Sequence, residues 1–326
     1  MIRPCRSTRE VSGAQKQYTQ SNRFQVQIRT GGLERNVRQP ENDLKLRLLE
    51  VPVPDLQILD RDAGILLSIV MRVFNEERTI LQALRRVLSV AYPCRVEVLI
   101  VDDGSVDRTT ALLDRIDDRR VRVQRHDRNR GKGAAVLTGI KAARGSHLLV
   151  FDADLEYDPA DIPALLSPII SQRAKVVYGS RIQGVHTAYQ SLHYAVGSRA
   201  TTWLANILFN AYLKDLHTCL KLLPLDLVRQ LDLRERGFGL DTEVTAKVLR
   251  LGIRPYEVPI SYYSRTRDEG KKITWQDGFS CISILMRVRR QAVPSVRHAP
   301  ALARIPAQSG SRSLEAGSLP SDESVA

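Results

Sequence analysis

The chain has 326 residues, 43% of them hydrophobic and 26% charged, with a formal net charge of +13. That balance suits one large α/β domain with arms, and the cationic excess points to an anionic partner, either a membrane surface or a phosphorylated substrate. Aromatic residues make up only 6%, with no basic stripe interleaved among them, which argues against nucleic acid.

Residues 1–61 are polar and rich in Gln and Arg, and read as a basic, partly disordered extension. Alternating strand and helix patterns then fill residues 62–290. Leu66–Val73 is a nearly continuous apolar run, as a buried parallel strand requires. Ile80, Leu81, Leu84, Val87 and Leu88 fall on one helical face. Val96–Val101 reads as the second strand, and Asp107 can cap a helix carrying Leu112, Leu113 and Ile116. Val121–Arg125 is the third strand, Gly133–Ala143 a helix, Leu148–Phe151 the fourth strand and Lys175–Tyr178 the fifth. The expected fold is α/β, a doubly wound, mostly parallel sheet flanked by helices. Further on, Tyr194–Leu213 is apolar and aromatic with few charges, Asp241–Leu251 reads as a helix, and Arg254–Tyr263 as one or two strands. Residues 291–326, rich in Ser, Ala, Pro and Gly, read as a disordered tail.

Cys5, Cys94, Cys219 and Cys281 are scattered, without Cys-x-x-Cys or a nearby histidine pair, so neither a zinc site nor a disulfide framework is expected and a reducing compartment fits. No apolar run is long enough to span a bilayer, and the N-terminus lacks the apolar core of a secretion signal. The expectation is a cytoplasmic protein, peripheral at the cytoplasmic face of a membrane.

The chemistry concentrates at strand ends, where open α/β sheets bind ligands. Asp102-Asp103-Gly104-Ser105 follows the second strand and can serve either as a tight turn or as a contact to ribose or base. Asp152-Ala153-Asp154-Leu155-Glu156 follows the fourth. If the pleat continues, Asp152 and Asp154 point the same way, and hard oxygens there suit a divalent ion bridging diphosphate oxygens. Asn75-Glu76-Glu77 stands at the first strand end, as a helix-dipole cap or a nucleotide contact. Arg128-Asn129-Arg130-Gly131-Lys132-Gly133 opens a helix whose N–H groups can cradle a phosphate or base. The Arg265–Lys272 run is either a charged surface loop or a phosphate clamp.

In their order these motifs, with Gly179-Ser180-Arg181, resemble glycosyltransferase family 2, and more narrowly the dolichyl- or polyprenyl-phosphate mannosyl- and glucosyltransferases, over roughly residues 66 to 280. The resemblance implies a GT-A fold, a GDP- or UDP-hexose donor and Mg2+ or Mn2+. Donor contacts would come from Phe74, Asn75, Glu76, Asp102, Asp103, Asn129, Lys132, Asp152 and Glu156. Asp154, with Asp152 and Glu156, would hold the metal; Arg181 and Arg199 would meet the acceptor phosphate; Arg265 and Lys271 would act catalytically from a loop over the diphosphate. The chain departs from the family's usual Pro-x-Tyr-Asn-Glu at Arg72 and Phe74, which puts a charge near the nucleobase pocket.

The implied reaction is inverting transfer of mannose or glucose to a polyprenyl or dolichyl phosphate. Such an acceptor is already anionic, since a phosphate monoester's second pKa is about 6. A hydroxyl acceptor would need a base, for which Asp241 or Glu243 are candidates, both also explicable as helix-end residues. The Tyr194–Leu213 segment reads as a core helix or as an interfacial helix at an anionic bilayer. The alternatives are a family 2 enzyme with a small hydroxyl acceptor and a catalytically inactive nucleotide-binding relative.

Overall fold

The computed structural model describes residues 64–182, 187–188, 192–264 and 275–292; the expected 1–61 extension and nearly all of the 291–326 tail lie outside them. The first strand, β1 (Leu66–Val73), is buried on both faces, which its apolar and β-branched run permits. Its one interior hydroxyl, Ser68, donates to Glu97 Oε1 at 2.6 Å and accepts from Gly145 N at 2.9 Å. Helix α1 (Ile80–Leu88) follows, burying Ile80, Leu84, Val87 and Leu88; each such side chain contributes about 1.5–3 kcal/mol on burial.

Next come β2 (Arg95–Asp102), the short α2 (Thr109–Leu113), β3 (Val121–Arg125), α3 (Lys132–Ala142), β4 (His147–Asp152), α4 (Ile162–Ile170) and β5 (Val177–Ser180). A two-residue β6 (Thr187–Ala188), α5 (Leu192–Phe209), β7 (Lys221–Pro224), α6 (Leu225–Gln230), α7 (Leu240–Arg250), β8 (Tyr256–Pro259), β9 (Tyr262–Tyr263) and α8 (Trp275–Arg290) complete the described chain. The expected strands and helices are present. The fifth strand starts two residues later than its apolar run, after a turn in which Gln172 takes φ 58°.

Seven strands form one sheet in the order β3-β2-β1-β4-β7-β5-β8. The sheet is mixed: β7 runs antiparallel to both β4 and β5. Parallel register aligns Val73 with Asp102, Asp102 with Arg125, and Arg72 with Asp152. The carboxyl ends of β1 to β4 therefore form one rim. Strand order reverses between β1 and β4, the switch point at which a crevice opens. One core packs α1 and α4 on one face of the sheet, and a second packs α3, α6 and α7 on the other. A third joins α5, α7 and α8 through Ala205, Phe209, Ala246 and Leu285. No described helix is long and apolar enough to cross a membrane.

Candidate active site

On the β1–β2 side of the switch point the loops are stitched together by side chain to backbone bonds. The Asn75 N–H donates to Ser105 Oγ, and the Val106 N–H donates back to Asn75 Oδ1, both at 2.9 Å. The Glu76 N–H donates to Thr109 Oγ1 at 2.9 Å, while its carboxylate accepts from Thr79 Oγ1 at 2.6 Å. Asp107 accepts from the Thr109 N–H at 2.9 Å as a local turn, while the N-cap of α2 is Arg108 and not the expected Asp107. Phe74 is half-buried beside the exposed Asn75.

Asp102 is buried, and its two oxygens accept from the Ser105 N–H and Thr110 Oγ1, each at 2.9 Å. Asp103 is fully enclosed. It accepts from the Arg130 and Gly131 N–H groups at 2.9 and 3.0 Å and lies 2.7 Å from His126 Nδ1. These two acids hold the loops that frame the crevice. Gly104, at φ 75°, is required between them, because a Cβ would lie 2.4 Å from the Arg128 carbonyl carbon. Asn129 is exposed and caps the next turn, its Oδ1 accepting from the Gly131 N–H at 2.9 Å.

Across the switch point the carboxylate is paired with a charge. Lys132, at the first turn of α3, reaches down to Asp152 Oδ2 at 2.8 Å, and both side chains are buried. Cys219 completes the contact, its Sγ 3.0 Å from Asp152 Oδ2 and 3.1 Å from Lys132 Nζ. Asp241 lies 3.6 Å from Lys132 and 3.4 Å from Lys221, so two lysines and two aspartates alternate along one cleft. Leu148, Val150, Leu223 and Val244 close its wall. Burial opposes the Lys132 ammonium, but Asp152, Cys219 and Asp241 hold its pKa well above the lysine range. Burial likewise opposes the Asp152 carboxylate, yet Lys132 and Arg72 keep it below its usual value. Burial pushes the Cys219 thiol up and Lys221 down.

The metal set implied by the resemblance is not assembled. The strand ends at Asp152, the chain turns, and Leu155 takes φ 63°, so Asp152 and Asp154 do not continue one pleat. Asp152 is held by Lys132, and Glu156 accepts from Tyr262 OH at 2.9 Å. Among the described residues no three of His, Cys, Asp or Glu group around a common point. Asp154 is half-buried in the turn, with Oδ1 accepting from the Glu156 N–H at 3.1 Å. A single carboxylate there still fits an ion that takes its remaining ligands from substrate phosphates and water.

Arg181 is not open to an acceptor. It is buried in a bidentate pair with Asp215, at 2.6 and 2.8 Å, and stacks 4.9 Å over the Tyr262 ring. The Asp215 carboxylate, fully enclosed, commits that guanidinium to the fold. Arg199 is exposed on α5. Arg265 and Lys271 lie outside the described residues. Glu243 is buried, paired with Lys247 at 2.8 Å and accepting from the Arg234 and Glu235 N–H groups; it is a structural residue, not a base. Lys221 carries no signal in the sequence and Cys219 reads only as a scattered cysteine, because their neighbours are distant in the chain, and Arg72 stands out only as a departure from the family pattern.

Fold and site together define a strand-end ligand-binding α/β protein with a charged cleft at its switch point. Residues 68–205 match the family described as Glycosyl transferase family 2. The glycosyltransferase AglD of Haloferax volcanii is 30% identical over 209 residues, covering 61% of this chain and 33% of that protein. A dodecaprenyl-phosphate galacturonate synthase of Rhizobium johnstonii is 37% identical over 120 residues, covering 35% and 36%. The chain thus spans about a third of the length of these relatives. Among solved structures, glucosyl-3-phosphoglycerate synthase from Mycobacterium tuberculosis, crystallised with Mn2+, UDP and phosphoglyceric acid, superposes with a TM-score of 0.54. The two are 18% identical over 72% of this chain and 82% of that one. The fold is of the GT-A type that the resemblance implied.

Proposed function

We propose that the protein is an inverting glycosyltransferase that moves a hexose from GDP- or UDP-sugar to a polyprenyl phosphate at a membrane surface. Catalysis is assigned to residues 62–290, the span that contains every described helix and strand. The observation that carries the acceptor class is the state of the two candidate bases. Glu243 is enclosed in structural bonds, and Asp241 stands between Lys132 and Lys221. Both Asp241 carboxylate oxygens are engaged by lysine ammonium groups, at 3.6 and 3.4 Å, so neither acid is assigned as a base and the acceptor brings its own anionic oxygen, as a lipid phosphate does. The relatives that act on polyprenyl phosphates by name support the same reading.

Asn75, Glu76, Asp102, Asp103 and Asn129 shape the nucleoside side of the crevice, and the half-buried Phe74 is assigned to the same side. Lys132 and Asp152 line the sugar side. Asp154 would hold Mg2+ or Mn2+ together with the donor's phosphates, and the bound ion would neutralise charge on the leaving diphosphate. Arg265 and Lys271 are assigned to the same electrostatic task on the resemblance alone. A bilayer partner is supported by one face of α5, where Val196, Trp203 and Ile207 are 56%, 68% and 56% exposed beside Arg199. An apolar, aromatic stripe flanked by arginine suits the headgroup region of an anionic membrane.

The test is incubation of the full chain with radiolabelled GDP-mannose or UDP-glucose, Mg2+ and polyprenyl phosphate. Label should pass into the organic phase and vanish with chelator. Transfer to soluble sugar acceptors with none to lipid would overturn the reading.

A further inference from the structure

Asp152 and Arg72 each keep one buried polar atom without a partner among the described residues: Asp152 Oδ1 and Arg72 Nε. The two residues are register partners across the parallel β1–β4 ladder. Such partners share a face of the sheet, here the face covered by α3, from which Lys132 descends to Asp152. The Arg72 guanidinium lies close enough to depress the Asp152 pKa, yet among the described residues nothing accepts a hydrogen bond from it. Arg72 as a whole is half-buried, but its Nε is enclosed, and an enclosed donor left unanswered costs about 1–3 kcal/mol.

The charge balance points the same way. With Arg72 beside Asp152 at the edge of this cleft, three cations, Arg72, Lys132 and Lys221, face two carboxylates, Asp152 and Asp241. An excess of positive charge beside an unfilled carboxylate lone pair suits a ligand that offers both an anionic oxygen and a hydroxyl. Arg72 stands one residue from the end of β1, at the rim next to the switch point.

We propose that Arg72 is a donor-binding residue. Its guanidinium takes an anionic oxygen of the nucleotide-linked sugar while Asp152 Oδ1 takes a hydroxyl of the same ligand. This rests on the reading of the crevice as a nucleotide-sugar site. The anionic oxygen belongs either to the diphosphate or to an acid group on the sugar, and one experiment separates these sources.

Calorimetric titration of the full chain, Arg72→Gln and Arg72→Lys is made with uridine, UDP, GDP, UDP-glucose and UDP-glucuronate. If the diphosphate is the source, Arg72→Gln weakens the preferred nucleoside diphosphate by about tenfold or more. Uridine affinity then stays unchanged and Arg72→Lys recovers part of the loss. If the sugar acid is the source, UDP binding is unchanged and a preference for UDP-glucuronate over UDP-glucose collapses in the glutamine variant. Equal affinities of wild type and Arg72→Gln for every ligand, within about twofold, overturn the proposal and leave the function intact. Equal weakening of uridine and UDP, which marks general damage, also overturns it. A wild-type chain that binds none of these nucleotides overturns both readings.

Discussion

Asp102 and Asp103 on one side of the switch point, and Asp152 on the other, are all buried acids at strand ends, but their partners differ in kind. The first two accept from backbone N–H groups, a hydroxyl and a histidine, all within loops they organise. Asp152 instead faces an ammonium, a thiol and, across the sheet, a guanidinium. Hydrogen-bonded acids fix geometry, whereas a charge cluster left with unfilled atoms is poised for a ligand. On the proposed reading, the difference separates scaffold from chemistry inside one rim.

The largest effect tests the charged side. Lys132→Met strands Asp152 in a buried position, and removing one partner of a buried pair costs about 3–5 kcal/mol. Urea unfolding should show that loss, and Lys132→Met combined with Asp152→Asn should recover much of it. A loss below about 1 kcal/mol would mean that the pair behaves like a surface one. On the scaffold side, Asp103→Ala leaves the Arg130 N–H without its acceptor and the Gly131 N–H with Asn129 alone, and should cost about 1–3 kcal/mol. It should also weaken nucleotide binding by loosening the 126–131 loop, with no effect on the pH dependence of turnover.

A third test uses pH. His217 is half-buried, its Nε2 2.6 Å from Thr201 Oγ1. Burial, then Arg181 and Lys221, push its pKa down to about 4. The folded pKa lies below the unfolded one, so between these values the unfolded chain binds the extra proton and stability falls as pH falls. From the usual histidine value near 6.5 down to about 4 the loss should reach about 3 kcal/mol. Asp152 and Asp215, both depressed, add losses that begin below the ordinary carboxylate pKa. His217→Gln should flatten the limb between about pH 6.5 and 4 while leaving the more acidic limb in place; an unchanged limb would show that another group carries it.

Much of the scaffold was legible because strand ends are marked by apolar runs meeting Asp, Asn or Gly, and those marks are local. β7 escaped notice because Lys221–Pro224 is four residues long, opens with a lysine and gains its place between β4 and β5 only by antiparallel pairing. The expected Asp152–Asp154 alignment failed at Leu155, since leucine gives no hint of a positive φ. Arg181 looked like an acceptor ligand because its partner Asp215 lies far along the chain. The cleft likewise depends on Lys132, Asp152, Cys219, Lys221 and Asp241, which meet only in three dimensions.

The smallest expected effect sharpens the comparison most, because it asks whether an acid on the charged side is a reagent. Asp241→Asn keeps an oxygen near Lys221, whose Nζ also donates to the Asp241 carbonyl at 3.0 Å and lies 5.5 Å from the Tyr178 ring centre. Lys132 keeps Asp152. Stability should therefore change by only about 1 kcal/mol. With a phosphate acceptor no proton has to be removed in the transfer, so turnover should fall by less than about tenfold, a barrier change under about 1.4 kcal/mol. With a hydroxyl acceptor and Asp241 as base, the same substitution removes the proton acceptor, for which general base catalysis typically contributes about 100- to 10,000-fold. Single-turnover rates for wild type and Asp241→Asn at saturating donor distinguish these outcomes, and a collapse of that size would move Asp241 from the electrostatic frame into the reaction itself.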